Sequence, residues 1–517
     1  MGISDLYSNS LRQKGQIFFT DISSNQTIDF NQCNLSEKIK LNVSINQAKK
    51  HCTYQINIFE IIGNQKYPLN KSSNCSFFDK TEAKLDLPII IKYFFEMEQK
   101  LLIEVIRTEN RIPFKFEIQA TLGSIMGSRK NTLKKQISSL ENEIIIFQAE
   151  KLNQSQNIMN LQLEIYSNNN NIDFIKPKNK IYYEIFSENN LLYRSEFIND
   201  EGKFISIKMP VGLFKNNKIN IIFYKYNKKE KGNYNLNIYE FSTNKIFNIQ
   251  INKKTFQIIS KSKIKKEYTF IDYLKAGVQI GLAVAIDFTS SNLHPNDENS
   301  LHNINKKEPN QYEKAINACG NIVAYYDYDQ LFPCFGFGAK YKQNALQIFN
   351  LNLKNDPNVK FVQGIIKEYH KAINIVSLYG PTYFTPVIKK MNDLIKGEKN
   401  HLKYHILMIL TDGMINDINE TIDELVESSF LPLSIIIIGV GKADFYSMIE
   451  LDSDKNPLVN SKGVKAERDL VQFVPFLKYE SNPENLAKEV LAEIPRQIIE
   501  YYKKSNIDPI NYRKSFF

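Results

Sequence analysis

The sequence contains no tryptophan and only five cysteines among its 517 residues. The cysteines are odd in number and scattered, and they form no Cys-x-x-Cys pair, which argues against a disulfide framework and a zinc module. We expect them to be reduced, mostly structural thiols of a cytosolic protein. The six histidines show no metal-ligand spacing either. RING-type and related zinc-binding classes are therefore not expected.

Long hydrophobic runs are also missing. The longest, such as Leu433–Val440, fall well short of the roughly 20 residues that a membrane-spanning helix needs. The first residues, MGISDLYSNSLRQ, contain no apolar stretch of the kind that marks a secretory signal, and Leu6 stands where a myristoylation motif needs serine or threonine. Neither a membrane span nor a secretory signal is expected.

The remaining composition is that of a globular protein, with 43% apolar and 24% charged residues. At about 150 residues per domain, the length suggests roughly three domains. An excess of 66 basic over 56 acidic residues gives a net charge of +10. This modest excess favours anionic partners weakly, without distinguishing membrane headgroups from nucleic acid.

Before about residue 268, short runs of alternating apolar and polar residues recur, for example KIKLNVSI and TYQINIFEI. Such alternation at a spacing of ten to twelve residues predicts β-sandwiches. The series restarts after Asn131–Asn142, which predicts two sandwiches in tandem. The basic segment Lys253–Glu267 that follows is interpreted as a solvated linker, with a membrane-facing polybasic segment as the alternative.

After Phe270 the pattern changes to strand–helix–strand. The apolar runs are too uniform for a sheet with one exposed face and favour a parallel sheet covered on both faces. The predicted strands are Ile280–Ile286, His405–Leu410 and Leu433–Val440. The predicted helices are Gln311–Tyr326, Val359–Val376, Pro386–Lys396, Ile418–Ser428 and Asn485–Tyr502. This alternation predicts a doubly wound, Rossmann-like α/β domain.

Oxygen-bearing side chains follow the predicted strands of this domain. Asp287 and Asp412 each stand at the end of a strand, Thr289 and Ser291 follow Asp287 in the spacing D-x-T-x-S, and Thr382 lies in a loop between them. In an open α/β sheet, ligands bind beyond the carboxyl ends of the strands. Hard oxygen ligands suit Mg²⁺, so the sequence predicts a magnesium site. The alternative is that the two aspartates only cap the helices that follow.

The same region resembles the von Willebrand factor A domain of the copine family. The motifs GVQIGLAVAIDFTSSN, FPCFGFGA, LYGPT, ILTDG, VGKADF and RDLVQFVPF occur in the copine order, over about Phe270–Tyr502. The resemblance implies a metal-ion-dependent adhesion site that holds Mg²⁺ or Mn²⁺. By that resemblance Thr289, Ser291 and Thr382 would bind the metal directly, and Asp287 and Asp412 directly or through water.

Copines carry two C2 domains ahead of this module, and such domains bind phospholipid through Ca²⁺ held by aspartates. In the first sandwich, LIEVIRTENR and ATLGSIMGSRKNTL resemble the closing half of a copine C2 domain, but the ligand loops do not match. The loop at Ala48–His51 has no aspartate, and Arg107–Asn110 supplies only Glu109. In the second, Asp173 remains, whereas Asn179, Asn227 and Asn233 stand where further aspartates are expected. Because Ca²⁺ affinity depends on the number of charged ligands, calcium binding is expected to be weak or lost in both.

The predicted organisation is therefore multidomain. The boundaries are 1–137 and 138–252 for two degenerate C2-like sandwiches, 253–269 for the basic linker and 270–505 for the A domain. The predicted function is that of a copine-like peripheral membrane adaptor, cytoplasmic and at the plasma membrane, with a nuclear pool left open. Its partners would be acidic phospholipid and a protein that supplies a carboxylate to the metal, not nucleic acid. The alternative is a cytosolic interaction scaffold that touches no membrane.

An enzymatic function is not expected. Aspartyl-phosphate chemistry of the D-x-D-x-T type needs a second carboxylate two residues after the nucleophile, to act as acid and base. In this chain Thr289 stands at that position after Asp287, and a threonine hydroxyl cannot do that work. A metal-dependent hydrolase or phosphotransferase is therefore the weaker alternative.

Overall fold

The computed structural model divides the chain into two compact units, one of residues 1–35 and 153–268 and the other of residues 36–152 and 269–517. The structure describes residues 27–29, 37–70, 73–77, 81–139, 142–152, 157–167, 181–187, 190–198, 202–211, 214, 218–225, 231–237, 246–251, 254–398, 403–452 and 457–509. Within these residues, every helix is too short or too polar to cross a bilayer.

The described residues before 268 form mainly strands, as their alternation predicts. The strands are β1 (Thr27–Asp29), β2 (Glu37–Asn46), β3 (Thr53–Ile62), β4 (Gln65–Pro68), β5 (Cys75–Phe77), β6 (Glu82–Leu85), β7 (Ile89–Tyr93), β8 (Lys100–Glu109), β9 (Ile112–Thr121), β10 (Thr132–Gln136), β11 (Ile144–Lys151), β12 (Asn157–Leu161), β13 (Leu163–Ser167), β14 (Ile181–Ser187), β15 (Asn190–Arg194), β16 (Ser206–Pro210), β17 (Lys218–Lys225), β18 (Lys231–Asn237), β19 (Ile246–Ile251), β20 (Lys254–Ser260) and β21 (Lys263–Lys266). A short helix, α1 (Leu122–Met126), follows β9.

Strands β2 to β11 belong to the larger unit and form two antiparallel sheets. One has the order β10-β11-β2-β6-β5 with β7 also paired to β2, and the other has the order β4-β3-β8-β9. Every second residue of β2 is buried from Ile39 to Ile45, and Ile56 and Ile58 of β3 are fully buried. This alternation places one face of each sheet in an apolar core.

Strands β1 and β12 to β21 form the smaller unit, in three sheets with the orders β1-β16-β12-β21, β13-β20-β19 and β15-β14-β17-β18. Its core contains the fully buried side chains of Tyr183, Ile185, Ile219 and Ile221.

Two segments differ from the predicted boundaries. Residues 144–151 pair with β2 and so belong to the first sandwich, not to the second. Most of the predicted linker 253–269 lies in strands β20 and β21, which pair with β13, β19 and β12. The exposed Lys261, Lys263 and Lys265 alternate with the buried Ser262 and with Ile264, which packs against the core, so these charges lie on one side of the chain. The other predicted boundaries stay predictions.

The residues after 268 contain eight strands and eight helices among those described. The strands are β22 (Gln279–Asp287), β23 (Leu331–Tyr341), β24 (Asn344–Asn350), β25 (Asn358–Lys360), β26 (Ser377–Leu378), β27 (Lys403–Thr411), β28 (Leu433–Gly439) and β29 (Val471–Pro475). The helices are α2 (Phe270–Ala276), α3 (Gln311–Val323), α4 (Val362–Ile375), α5 (Thr385–Gly397), α6 (Ile418–Ser428), α7 (Tyr446–Leu451), α8 (Pro483–Leu491) and α9 (Ile494–Lys504).

These elements form the doubly wound sheet that the sequence predicts. The order is β24-β23-β22-β27-β28-β29, with parallel pairing throughout except at the edge strand β24. Ala283, Leu407 and Ile435 pack on the face covered by α5 and α6, while Leu282 on the other face lies against Gly320 of α3. Helices on both faces explain why β28 is buried along its whole length.

One predicted helix is split. The pattern over Asn485–Tyr502 predicts a single helix, but α8 ends at Leu491 and α9 begins at Ile494. Pro495 lies in the first turn of α9, where its missing N–H is tolerated, whereas in the middle of a helix its ring would clash with the preceding turn. The proline therefore fixes the position of the break.

The first sandwich packs against the elements that follow residue 268 within the larger unit. The ring of Phe95 lies 5.2 Å from that of Phe270 and 4.9 Å from that of Tyr326. The Thr269 hydroxyl donates to Glu37 at 2.7 Å, and Lys151 pairs with Asp272 at 2.9 Å. A Cβ atom added at Gly127 would lie 1.9 Å from a backbone carbonyl oxygen of the A domain, that of Tyr325. The fit leaves no room for a side chain at that point.

Candidate metal site

Asp287 is the last residue of β22 and is fully buried. Its Oδ1 accepts hydrogen bonds from the backbone N–H of Thr289 at 2.8 Å and from the Thr289 hydroxyl at 2.6 Å. Its Oδ2 accepts from the hydroxyl of Thr411, at the end of the neighbouring strand β27, at 2.6 Å. The carboxylate is therefore fixed on both sides before any ligand is considered.

Asp412 completes a chain of hydrogen bonds across the carboxyl ends of β22 and β27. The Thr289 and Ser291 hydroxyls lie 2.9 Å apart, and the Ser291 hydroxyl donates to Asp412 at 2.9 Å. Asp412 and Thr289 are buried, but Ser291 is exposed. The site therefore opens to solvent on the Ser291 side.

Thr382 joins the same cluster from the loop before α5. A Cβ atom added at Gly413 would lie 3.5 Å from the Thr382 hydroxyl and 3.8 Å from the Ser291 hydroxyl, so both hydroxyls face one point. Hydrogen bonds between Thr382 and Asn416, one in each direction, hold this loop in place. The structure thus brings together all five residues that the sequence predicts for the site.

The helix-capping alternative does not agree with the contacts. The side chain that caps α3 is that of Asn310, which accepts from the backbone N–H of Glu313, and α6 begins only at Ile418. Neither Asp287 nor Asp412 is placed to cap an α-helix. Their position at the sheet edge therefore needs another explanation.

Gly338 of β23 makes room for Thr289. Its φ angle is +69°, and an added Cβ atom would lie 2.3 Å from Thr289 Cγ2. Both facts require glycine at this position. The glycine is visible in the motif FGFGA, but only the fold shows that it accommodates Thr289.

No structural role is predicted for His302 from the sequence, because the six histidines show no ligand spacing. His302 is fully buried, and its ring lies 4.5 Å from that of Tyr312. Because a carbonyl can only accept, Nε2–H donates to the Asp287 carbonyl at 2.8 Å, which leaves Nδ1 to accept from the Tyr369 hydroxyl at 2.8 Å. Burial lowers the His302 pKa to about 3, so the ring is neutral and braces the strand end.

The two carboxylates lie in an environment that disfavours their negative charge. Burial raises the pKa of Asp287, although hydrogen bonds from Thr289 and Thr411 act against it. Burial raises the pKa of Asp412 to about 7, and the charge of Asp287 adds to that shift. No lysine or arginine among the described residues contributes to either pKa. A cation bound between the two would supply the missing positive charge.

The donor set fits a hard dication. Two carboxylates and three hydroxyls, all oxygen, match the preference of Mg²⁺ and Mn²⁺ for oxygen ligands. Among the described residues, no three histidine, cysteine, aspartate or glutamate side chains come together to hold a metal ion, so this site depends on hydroxyl as well as carboxylate oxygen. Asp287, Thr289, Ser291, Thr382 and Asp412 would hold the ion, and its chemistry would be to accept one further oxygen ligand.

The predicted calcium loops are described only in part. Asp173, Asn179 and Asn227 lie outside the described residues, as does most of that loop region. In the first sandwich, Arg107 is buried and donates to Glu143 at 2.6 Å, and Glu143 also accepts from the Tyr54 hydroxyl. The sequence interpretation did not single out Glu143 or the buried guanidinium. Arg107 supplies a protein cation beside the two loops, at the end of the sandwich where calcium ligands were expected.

A parallel sheet with helices on both faces, and a carboxylate–hydroxyl cluster beyond its carboxyl edge, define the class: a von Willebrand factor A-type domain. Within that class, residues 300–510 match the family model described as Copine. The predicted resemblance to the copine family is thereby confirmed for this C-terminal region. The matched residues begin after Asp287, Thr289 and Ser291. These three residues are therefore assigned to the same domain by the structure and not by the family model.

Solved structures similar to parts of the chain include A-type and C2 domains. The VWA domain of SpRpn10 is 12% identical, with 41% of this chain and 95% of that chain covered and a TM-score of 0.27. The manganese-loaded Plasmodium vivax TRAP protein is 13% identical, with 43% and 74% covered and a TM-score of 0.26. The calcium-bound pair of C2 domains of Extended-Synaptotagmin 2 is 10% identical, with 45% and 98% covered and a TM-score of 0.18. TM-scores this low do not establish a shared fold by themselves.

Proposed function

We propose that this chain is a copine-like, non-enzymatic adaptor whose A-type domain binds Mg²⁺ or Mn²⁺ and through it a carboxylate of a partner protein. The observation that carries the proposal is the oxygen cluster itself, in which Asp287 and Asp412 are buried and no lysine or arginine of the described residues is a main cause of either pKa shift. One dication against two carboxylates leaves the site close to neutral. It can then accept one more negative ligand without strong repulsion.

The test of the metal site is a calorimetric titration of the full chain with Mn²⁺. The wild type should bind one equivalent, and Ser291→Ala or Thr382→Ala should weaken that binding by about tenfold or more, the loss expected for one metal ligand. Ser290→Ala is the matched control, because Ser290 is exposed beside the cluster but makes no described contact with it. Equal binding by all variants would disprove the assigned ligands.

We further propose that the N-terminal strand units are degenerate C2-type sandwiches that bring the protein to the cytoplasmic face of an anionic membrane without calcium. The net charge of +10 favours an anionic surface. In the first sandwich, the negative charge of Glu143 is paired with the guanidinium of Arg107. A protein cation thus takes the place that a calcium ion would have among acidic ligands.

Co-sedimentation of the full chain with phosphatidylserine vesicles in Mg²⁺ buffer tests this proposal, with either added Ca²⁺ or EGTA. Equal binding in both buffers is expected. Binding only with Ca²⁺ would contradict the calcium-independent mode. Absence of binding in both would favour the scaffold function without a membrane.

A further inference from the structure

Three large apolar side chains lie within three residues of predicted metal ligands and remain exposed to solvent. Leu293 follows Ser291 by two residues, Met414 follows Asp412 by two, and Tyr379 precedes Thr382 by three. Their exposed fractions are 44%, 62% and 47%. They come from three separate loops, each of which also supplies a predicted metal ligand. We call Leu293, Tyr379 and Met414 the apolar rim.

Leu293 is held in a backbone conformation that leucine rarely adopts. Its φ angle is +63° and its ψ angle is 160°, a region that favours glycine, and a non-glycine residue there costs on the order of 1–3 kcal/mol. The loop around it is tightly bonded: the Ser300 hydroxyl donates to the carbonyls of both Asn292 and Leu293 at 3.0 Å. The Tyr312 hydroxyl also donates to the Asn292 side chain at 2.6 Å.

This combination has no evident benefit for stability. A glycine at position 293 would remove the backbone strain, and the leucine side chain gains little from burial because it is nearly half exposed. Strained residues of this kind cluster at ligand-binding sites, and the place of Leu293 in the chain, not its strain alone, connects it to such a site. Leu293 stands beside the exposed hydroxyl of Ser291, where a partner's ligand would enter.

Tyr379 is fixed to the same edge. Its backbone N–H donates to the carbonyls of Phe288 and Gly338, at 3.2 and 3.1 Å. Phe288 directly follows Asp287 in the chain, and Gly338 is the glycine that makes room for Thr289. The backbone of Tyr379 is thus coupled to the metal cluster, and its ring lies 5.4 Å from the Lys340 ammonium group.

We propose that the apolar rim selects the partner: the site takes a protein segment in which an acidic residue is flanked, within one or two positions, by a bulky apolar residue. The inference rests on the proposed metal-bridged function. The carboxylate would complete the metal coordination, and the flanking side chain would be buried against Leu293, Tyr379 and Met414. Burial of exposed apolar surface favours this contact.

The experiment selects peptides from a displayed random library on the full chain in Mg²⁺ buffer, with elution by EDTA. Enriched peptides should contain Asp or Glu next to Leu, Ile, Met or Phe. Synthetic copies are then titrated by fluorescence polarisation. Leu293→Gly should weaken peptide binding by about tenfold, a usual effect for a central contact residue. It should leave the Mn²⁺ affinity unchanged, and the thermal midpoint should not fall below that of the wild type.

Phe361→Gly is the matched control. Phe361 has a φ angle of +63° and is 47% exposed. Its backbone N–H donates to the carbonyl of Gln330, just before β23, so it lies at the amino end of that strand, away from the metal cluster. This variant should relieve similar strain and leave peptide binding unchanged. Weakening by Phe361→Gly to the same degree as by Leu293→Gly would overturn the assignment.

The outcomes separate this inference from the function on which it rests. Loss of the Mn²⁺ signal in the wild type would remove the metal-bridged function itself. Normal Mn²⁺ binding with no enriched peptide, or with acidic peptides that lack an apolar neighbour, would overturn only the role of the apolar rim. Full-strength peptide binding by Leu293→Gly would do the same.

Discussion

Asp327 shows how burial controls a single carboxylate of this chain. Its side chain is shielded from solvent and lies 3.2 Å from Lys403, with Asp329 also within 3.7 Å of that lysine. Burial raises the Asp327 pKa to about 6, although Lys403 acts in the opposite direction. The folded protein therefore holds a proton at Asp327 at pH values where the unfolded chain has released it.

The consequence is a stability that depends on pH. The contribution of protonated Asp327 is fully present below about pH 4 and is lost as the pH rises through about 6, because the unfolded chain then binds fewer protons. Urea denaturation of the wild type and of Asp327→Asn should show this difference. Relative to the variant, the wild type should lose roughly 2 kcal/mol between these pH values.

Asp393→Asn is the control for this prediction, because Asp393 is exposed and is not among the groups that shift the Asp327 pKa. Its free energy of unfolding should follow that of the wild type across the same pH range. A wild type that gains stability over Asp327→Asn as the pH rises would contradict the raised pKa.

The sequence predicts some residues of the metal site better than others. Asp287, Thr289 and Ser291 lie within five residues, and strand periodicity places them at one sheet edge. Thr382 and Asp412 follow from the order of the motifs. His302 and Thr411 could not be predicted in the same way, because their roles depend on hydrogen bonds to Asp287 from segments distant in sequence or from the neighbouring strand. Tertiary contacts, and not local pattern, define the support of the site.

At the scale of an element, strand β23 positions the site through one glycine. Gly338→Ala would force an alanine into a positive φ angle and its Cβ atom against Thr289. We expect the Mn²⁺ affinity to fall about tenfold, because Thr289 must move, and the fold to lose about 1–3 kcal/mol from the strain. Calorimetric titration and urea denaturation measure the two effects.

Gly63→Ala separates the two causes. Gly63 also has a positive φ angle, +58°, but an added Cβ atom there meets nothing within 4 Å, and it lies in the hairpin between β3 and β4. This variant should lose stability from strain while its Mn²⁺ affinity stays unchanged. Equal loss of Mn²⁺ affinity in both would mean that the contact with Thr289 is not the cause.

The secondary structure of the A-type region follows closely from its sequence. The predicted helix Ile418–Ser428 is found with the same bounds. Of the three predicted strands, β22 is two residues longer, β27 is three residues longer and β28 is one residue shorter than predicted. The linker prediction near residue 260 is wrong because it weighs the lysines as charge, although Phe256, Ile258 and Ile264 recur at even spacing among them. Periodicity is the stronger signal there.

At the scale of the whole molecule, the first sandwich and the A-type region share one unit. Gly127→Ala should disturb this packing, since the added methyl group would overlap the Tyr325 carbonyl. We expect a loss of about 1–3 kcal/mol, the usual cost of overpacking. Differential scanning calorimetry should show a lower midpoint for the transition that includes both parts.

Gly397→Ala is the control for this packing, because an added Cβ atom there meets nothing within 4 Å. Its midpoint should stay close to that of the wild type. An unchanged midpoint in Gly127→Ala, or a shift confined to the first sandwich while the A-type region unfolds as before, would contradict the shared unit.

The chain leaves the larger unit after Leu152 and returns to it at Thr269, and the ion pair between Lys151 and Asp272 holds these two points together. Residues 153–268, which form the smaller unit together with residues 1–35, are therefore inserted between two chain positions that the larger unit already keeps close. A segment inserted at such positions can be lengthened or exchanged with little effect on the unit around it. Selection could thus alter the smaller unit, including its predicted calcium loops, while the predicted metal site and the first sandwich stayed unchanged.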